Sequence, residues 1–300
     1  MHQSLSIQTA FELFLLDEQS QGFTSHTLRF YNERLHLFLH WCAEQDVNNI
    51  DQLRALHIKR FFVHLQGRDL SSAYIHSHAR AIKTFCKYCV RDNLIGDSPF
   101  SSVKMPKLEG KILPALSNDE IESILAVCIT RRDRTIATFM LDSGVRATEL
   151  VTLNVGDVDL KTGSVMVIQG KGQKDRMVFI GAKTRKLLIL YLAERDNRNN
   201  EDPLFVSERS SERLTYYGLA QMLKRLRKAC GVKECHAHAF RRTFAINCLR
   251  NGMDVYTLAK LMGHSGIIVL KQYLDLVRDD LANVHAKASP VDRMREKPSN

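Results

Sequence analysis

Residues 238–245 read His238-Ala239-Phe240-Arg241-Arg242-Thr243-Phe244-Ala245. At helical spacing His238 and Arg241 fall on one face, a turn apart. Further on, Leu261-Met262-Gly263-His264-Ser265-Gly266 is followed by Tyr273, nine residues after the histidine. Upstream, Gly170-Lys171-Gly172-Gln173-Lys174-Asp175-Arg176 includes the turn between two β-rich runs, Val165 to Ile168 and Met177 to Ile180. That pattern predicts a β-hairpin with a lysine-bearing turn. Earlier still, Leu141-Asp142-Ser143-Gly144-Val145-Arg146-Ala147-Thr148-Glu149-Leu150 places Gly144 where a sharp turn is allowed and Arg146 just before a new helix.

Around these pieces the chain is mainly helical. Phe11, Phe14 and Leu15 recur at three- and four-residue spacing, as do Leu28, Tyr31, Leu35, Phe38 and Leu39. Thr24 and Ser25 suit a helix start. A third run covers about Leu53 to Leu65, and a fourth starts at Ser71-Ser72 and carries Ile75, Ala79, Ile82, Phe85 and Val90. Four such helices make a bundle. Pro99, Pro106 and Pro114, with Gly110 and lysines between them, mark a linker. Ser117 to Glu120 is a capping box that opens a second helical region running to about Ser143. After the hairpin, helical periodicity returns from about Thr184. The expected domains are a helical bundle over 1–97, a linker over 98–112, a second domain over 113–286 and a disordered tail over 287–300.

The chain has 300 residues and a formal charge of +10. Charges nearly balance up to residue 110, so almost all of that excess lies beyond it. A basic balance favours a polyanionic partner, nucleic acid being the commonest. Seven irregularly spaced cysteines read as a reducing compartment without a disulfide framework. No apolar run has the length of a membrane span, and the polar stretch Met1 to Thr9 is unlike a secretion signal. The expectation is a cytoplasmic protein with no membrane partner.

Taken singly, each piece has a plain structural explanation. Arg146 is a surface arginine or a partner for Glu149, and Lys171 is a solvated hairpin lysine. His238 and Arg241 are polar positions on a helix. Gly263-His264 is a helix C-cap, and Tyr273 is a core tyrosine. Together, the order Arg, Lys, His-x-x-Arg, Gly-His, Tyr resembles the tyrosine recombinase, or phage-type integrase, family. The resemblance covers most of the chain. It implies an N-terminal helical core-binding (SAM-like) domain and an α+β catalytic domain that clamp DNA. Three positions depart from the family's usual pattern: Val269 and Leu270 stand where threonines are common, and Arg242 where a histidine is common. None of the three is a catalytic position.

The resemblance implies a catalytic set of Arg146, Lys171, His238, Arg241, His264 and the nucleophile Tyr273. The residue types suit attack on a phosphodiester. Planar guanidinium forks on Arg146 and Arg241 stabilise charge on the non-bridging oxygens, with His264 as a further donor. A tyrosine hydroxyl is neutral at pH 7 and needs a base, the role of His238. Lys171 protonates the leaving 5′ oxygen. The implied product is a 3′-phosphotyrosine link and a free 5′ hydroxyl, made without ATP, cofactor or metal. Double-stranded DNA is the implied partner, bound by a homo-tetramer. Arg80, Lys83, Lys87 and Arg91 recur along the fourth helix and, with Lys174, are candidates for the DNA backbone; a solvated helix face explains the four equally well. Cys230, Cys235, His236 and His238 are soft ligands close in sequence, but their spacing fits no regular zinc pattern. Cys86-x-x-Cys89 reads as packing. Within the family, Val269 and Leu270 lean towards integration or excision of a mobile element. Xer-like chromosome or plasmid dimer resolution is the alternative. A type IB topoisomerase and a catalytically silent DNA-binding protein are the further readings.

Overall fold

Caps and apolar stripes set the helices of the first unit, residues 1–111. The computed structural model describes residues 5–108, 113–168, 175–195, 199–263 and Ser289. The hydroxyls of Ser6, Thr24 and Ser71 accept backbone N–H groups at the starts of α1 (Ile7–Ser20), α2 (Ser25–Glu44) and α4 (Ser72–Arg91). Between α2 and α4 lies α3 (Ala55–Gln66), preceded by a single 3₁₀ turn at Ile50–Gln52 that periodicity does not reveal. The apolar faces meet in a core with Phe11, Phe14, Phe38, Phe61 and Phe85 fully buried. Aromatic edges interlock there, Phe38 with Phe61 at 5.0 Å and Phe14 with Phe85 at 5.7 Å. Cys86 and Cys89 are buried in the same core, and burial pushes both thiols up, Cys89 to about 12. They pack as small apolar residues.

His78 is wholly buried in this bundle, its Nδ1 3.0 Å from the Arg34 carbonyl oxygen. Burial, reinforced by the Arg34 guanidinium, lowers its pKa to about 4. The folded state therefore holds a neutral imidazole that the unfolded chain protonates near 6.5. The resulting stability is full above pH 6.5 and lost as pH falls towards 4, at most about 3 kcal/mol from the size of the shift. Trp41, the chain's one tryptophan, is buried in this core and reports on it. Urea unfolding followed by Trp41 fluorescence should show that loss between pH 7 and pH 4, and His78→Leu should flatten it. Equal slopes for the two proteins would refute this origin.

The second unit, 112–300, starts with α5 (Asn118–Ala126). Ser117 and Glu120 cap it reciprocally, at 3.1 and 2.9 Å. There follow α6 (Arg131–Ser143), α7 (Ala147–Thr152), β1 (Ser164–Val167), β2 (Arg176–Phe179), α8 (Ala182–Ala193), α9 (Tyr216–Cys230), α10 (Ala237–Arg250) and α11 (Val255–Met262). β1 and β2 pair antiparallel, from Ser164 opposite Phe179 to Val167 opposite Arg176. The hairpin stands one residue earlier on each strand than the β-rich runs suggest, and α8 begins two residues before Thr184. α6 lies at the centre, against α8 and α10, and buries Ile136, Phe139 and Met140. No described helix is long and apolar enough to cross a membrane. The expected tail lies outside the described residues apart from Ser289, which is buried.

Candidate active site

α6 ends at Gly144, which adopts φ +63°. A Cβ there would also stand 2.2 Å from the Phe244 ring, so only glycine fits. The turn delivers Arg146 to the N-cap of α7. Its backbone N–H donates to Glu149 Oε2 at 2.7 Å, and its Nη1 donates to Oε1 at 2.7 Å. Glu149 is therefore both the cap of α7 and the partner of Arg146.

On the opposite side of this turn, α10 directs Arg241 inwards, 5 % exposed. α11 ends at Gly263 in the left-handed region, which leaves its last carbonyls without helical partners. Three arginines from three elements take three successive carbonyls. Arg176 Nε on β2 donates to the Leu261 oxygen at 2.7 Å. Arg241 Nη2 donates to the Met262 oxygen at 2.5 Å, and its Nη1 to the Gly144 oxygen at 2.7 Å. Arg146 Nη2 donates to the Gly263 oxygen at 3.1 Å. Arg176 also grips Glu149 with both ends of its fork, each at 2.8 Å. Arg241 Nη1 lies 4.0 Å from the same carboxylate. Burial alone raises the Glu149 pKa; the hydrogen bonds from Arg176 and Arg146 outweigh it and hold the group at about 2. Glu149 is thus an anion at neutral pH and not a proton carrier.

His238 is the second residue of α10 and is exposed, but enough protein surrounds the ring to lower its pKa below the usual histidine value. Arg241, Arg242 and His236 add to that shift. Its neutral, proton-accepting form therefore prevails at pH 7. Beside it opens a cavity of about 370 Å³ whose lining includes Tyr216, Lys224, Arg227 and His236. Arg242, where the family pattern has a histidine, is buried. It donates to the Pro114 oxygen at 2.9 Å and to Glu234 at 3.0 Å. With Thr243 Oγ1 accepting from Leu116 N–H at 2.9 Å, it straps residues 114–116 to α10.

The structure therefore brings Arg146 and Arg241 together at the end of α11, with His238 on the same helix as Arg241. Lys171, Lys174, His264 and Tyr273 lie outside the described residues, as do Val269 and Leu270. Arg80, Lys83, Lys87 and Arg91 are all exposed along α4. Arg91 already donates to Asp17 at 2.6 Å and to Asp92 at 3.0 Å, over the Tyr88 ring. Among the described residues no group of three or more His, Cys, Asp or Glu could hold a metal ion. In the sequence cluster that suggested one, Cys235 Sγ donates to the Leu223 oxygen, and His236 caps α10 while pairing with Glu234.

Sequence reasoning missed Arg176, which it met only as the end of the hairpin motif. The available signal was strand alternation. Arg176 shares the inward face of β2 with Val178, and a charge on an inward strand position calls for a buried partner. The outward residues Met177 and Phe179 are equally apolar and hide that face.

Comparison with known proteins decides the family. Residues 114–278 match the phage integrase family, and residues 11–93 match the phage integrase N-terminal SAM-like domain. The chain belongs to the phage integrase family. Tyrosine recombinase XerC of Pseudomonas syringae pv. syringae is 30% identical over 275 residues, 88% of this chain and 90% of that protein. Tyrosine recombinase XerD of Oceanobacillus iheyensis is 28% identical over 281 residues, 90% and 94% of the two chains. The Tn1549 transposon integrase, in complex with a circular intermediate DNA, shares the fold with a TM-score of 0.74. Its identity is 18%, over 94% of this chain and all of that one. The expected fold, a helical N-terminal domain and a catalytic domain with a small sheet, is the one found. As a tyrosine recombinase the protein is an enzyme that breaks and rejoins DNA strands.

Proposed function

We propose that this recombinase is Xer-like and resolves chromosome or plasmid dimers by phosphotyrosine strand exchange at a specific site on double-stranded DNA. The observation that carries the chemistry is the convergence of Arg146 and Arg241 on the carbonyls of Gly263 and Met262, immediately before His264. The role is supported by relatives named XerC and XerD that match along about nine tenths of both chains. Those lengthwise matches weigh more than Val269 and Leu270, which had favoured a mobile-element integrase. The likeness to a transposon integrase speaks for the fold alone.

In this reading the Tyr273 oxygen attacks phosphorus and forms an O–P bond as the bond from phosphorus to the 5′ oxygen breaks. The tyrosine proton passes to His238, and Lys171 gives a proton to the leaving 5′ oxygen. Arg146, Arg241 and His264 hold the non-bridging oxygens as charge develops on them. A 5′ hydroxyl from a partner duplex reverses the step, so phosphodiester energy is conserved and no ATP is used. Four protomers act on two duplexes in the cytoplasm. Lys174 and the exposed α4 cations Arg80, Lys83 and Lys87 contact the backbone, which makes binding salt-dependent.

The test is to incubate the protein with a library of nicked duplexes and map covalent peptide–DNA adducts. The expected adduct is at Tyr273 and is absent in Tyr273→Phe. An adduct on another residue, or an undiminished adduct in the variant, overturns the mechanism. The DNA recovered with the adduct also defines the target duplex.

A further inference from the structure

The first turn of α10 is capped by a histidine. The N–H of Ala239 is shared between the His236 backbone oxygen at 2.9 Å and the His236 ring Nδ1 at 3.3 Å. An imidazole nitrogen that accepts from an amide carries no proton, so the proton of a neutral His236 sits on Nε2. Nε2 faces Glu234 Oε2 at 3.1 Å and donates to it. The same carboxylate oxygen accepts from Arg242 Nη2 at 3.0 Å, and Arg242 is tied through Nε to the Pro114 oxygen at 2.9 Å. Glu234, itself held by a buried arginine, thus selects the tautomer in which His236 can cap.

The capped N–H belongs to the peptide that joins His238 to Ala239. Holding that peptide holds the backbone of His238. The His238 side chain is exposed, so the place of its ring follows the backbone of this turn. His236 and His238 both line the cavity at this end of α10. We propose that His236 is a positioning residue: as the Nδ1 cap of α10 it sets where the His238 imidazole stands relative to Arg146 and Arg241. This rests on the reading of His238 as the proton acceptor. A serine at 236 caps the same N–H through its hydroxyl, whereas an alanine cannot.

The experiment compares wild type, His236→Ala, His236→Ser, His238→Ala and the double variant His236→Ala with His238→Ala. Single-turnover cleavage of the nicked duplex recovered in the adduct experiment is measured, with duplex affinity and melting temperature recorded for each. His238→Ala should cleave about 10²-fold more slowly than wild type, the usual scale for a general base. His236→Ala should be about ten-fold slower, because a misplaced ring keeps only part of that contribution. Its duplex affinity, shared over many backbone contacts, should stay within about two-fold of wild type. His236→Ser should cleave within about three-fold of wild type, since the cap is retained. In the double variant, His236→Ala should add less than about two-fold to the loss from His238→Ala, as expected when one residue acts through the other. An equal loss with and without His238 would mean that His236 acts through the rest of α10 and overturns the proposal. So does a serine that fails to restore the rate. If His238→Ala slows cleavage and His236→Ala does not, only the role of His236 falls. If His238→Ala cleaves at the wild-type rate, the proton-acceptor reading falls and takes the proposal with it. Should His236→Ala not fold, His236→Phe, which keeps the bulk of the ring but no acceptor, takes its place.

Discussion

Arg241→Lys should slow strand cleavage by about 10²- to 10³-fold, the scale for loss of one preorganised donor to a developing oxyanion. Lysine keeps the charge. It cannot bond the Gly144 and Met262 carbonyls together, as the guanidinium does from opposite corners of its fork. Either the ammonium stays with the carbonyls and abandons the phosphate, or it swings towards the phosphate and leaves buried carbonyls without a donor. The loss belongs in the cleavage step. Duplex affinity is shared over many backbone contacts and should fall by less than about ten-fold. Single-turnover cleavage and a binding titration separate the two. A variant that cleaves at the wild-type rate would make Arg241 a structural strut only.

Glu149→Gln should destabilise the catalytic domain by about 3–5 kcal/mol, the usual result of deleting one partner from a buried ion pair. The neutral amide would leave Arg176 buried without its counter-charge and would weaken the cap of α7. The effect carries a pH signature. The Glu149 carboxylate is held at about 2, below the 4.5 expected in the unfolded chain. Its contribution is therefore present above pH 4.5 and is lost as pH falls towards 2, about 3 kcal/mol in all. Calorimetry of the full chain between pH 6 and pH 2.5 should show the wild-type domain approaching the variant as acid is added. Parallel curves would mean that the carboxylate is not what holds the three arginines.

Much of the helical frame was legible because its signals are local. The periodic apolar positions from Phe11 to Val90 and the caps Thr24, Ser71 and Ser117 lie where the helices of the structure require them. The 3₁₀ turns at Ile50–Gln52 and Val155–Asp157 were not legible, since one turn is too short for periodicity to register. In the site, the pairing of Arg146 with Glu149 and the C-cap at Gly263, two of the plain explanations, are found and do not compete with the chemical ones. Arg146 does pair with Glu149, and Gly263 does end a helix; those contacts are how the site is held. Arg176 escaped because its partners, Glu149 and Leu261, are 27 and 85 positions away. Nothing in the hairpin announces them. Biological role was the least legible. It turned on two residues beside Tyr273, whereas relatedness along the whole chain points the other way.

The three carbonyls at the end of α11 have one more consequence. A carbonyl orients a guanidinium but does not neutralise it. Had the same positions been fixed by carboxylates, each arginine would reach the DNA with its charge already cancelled. Arg146, Arg176 and Arg241 surround the carboxylate of Glu149, and each is also held by a neutral oxygen at the partially negative end of α11. A guanidinium oriented by neutral oxygens keeps its charge available for the negative charge that develops on the phosphorane.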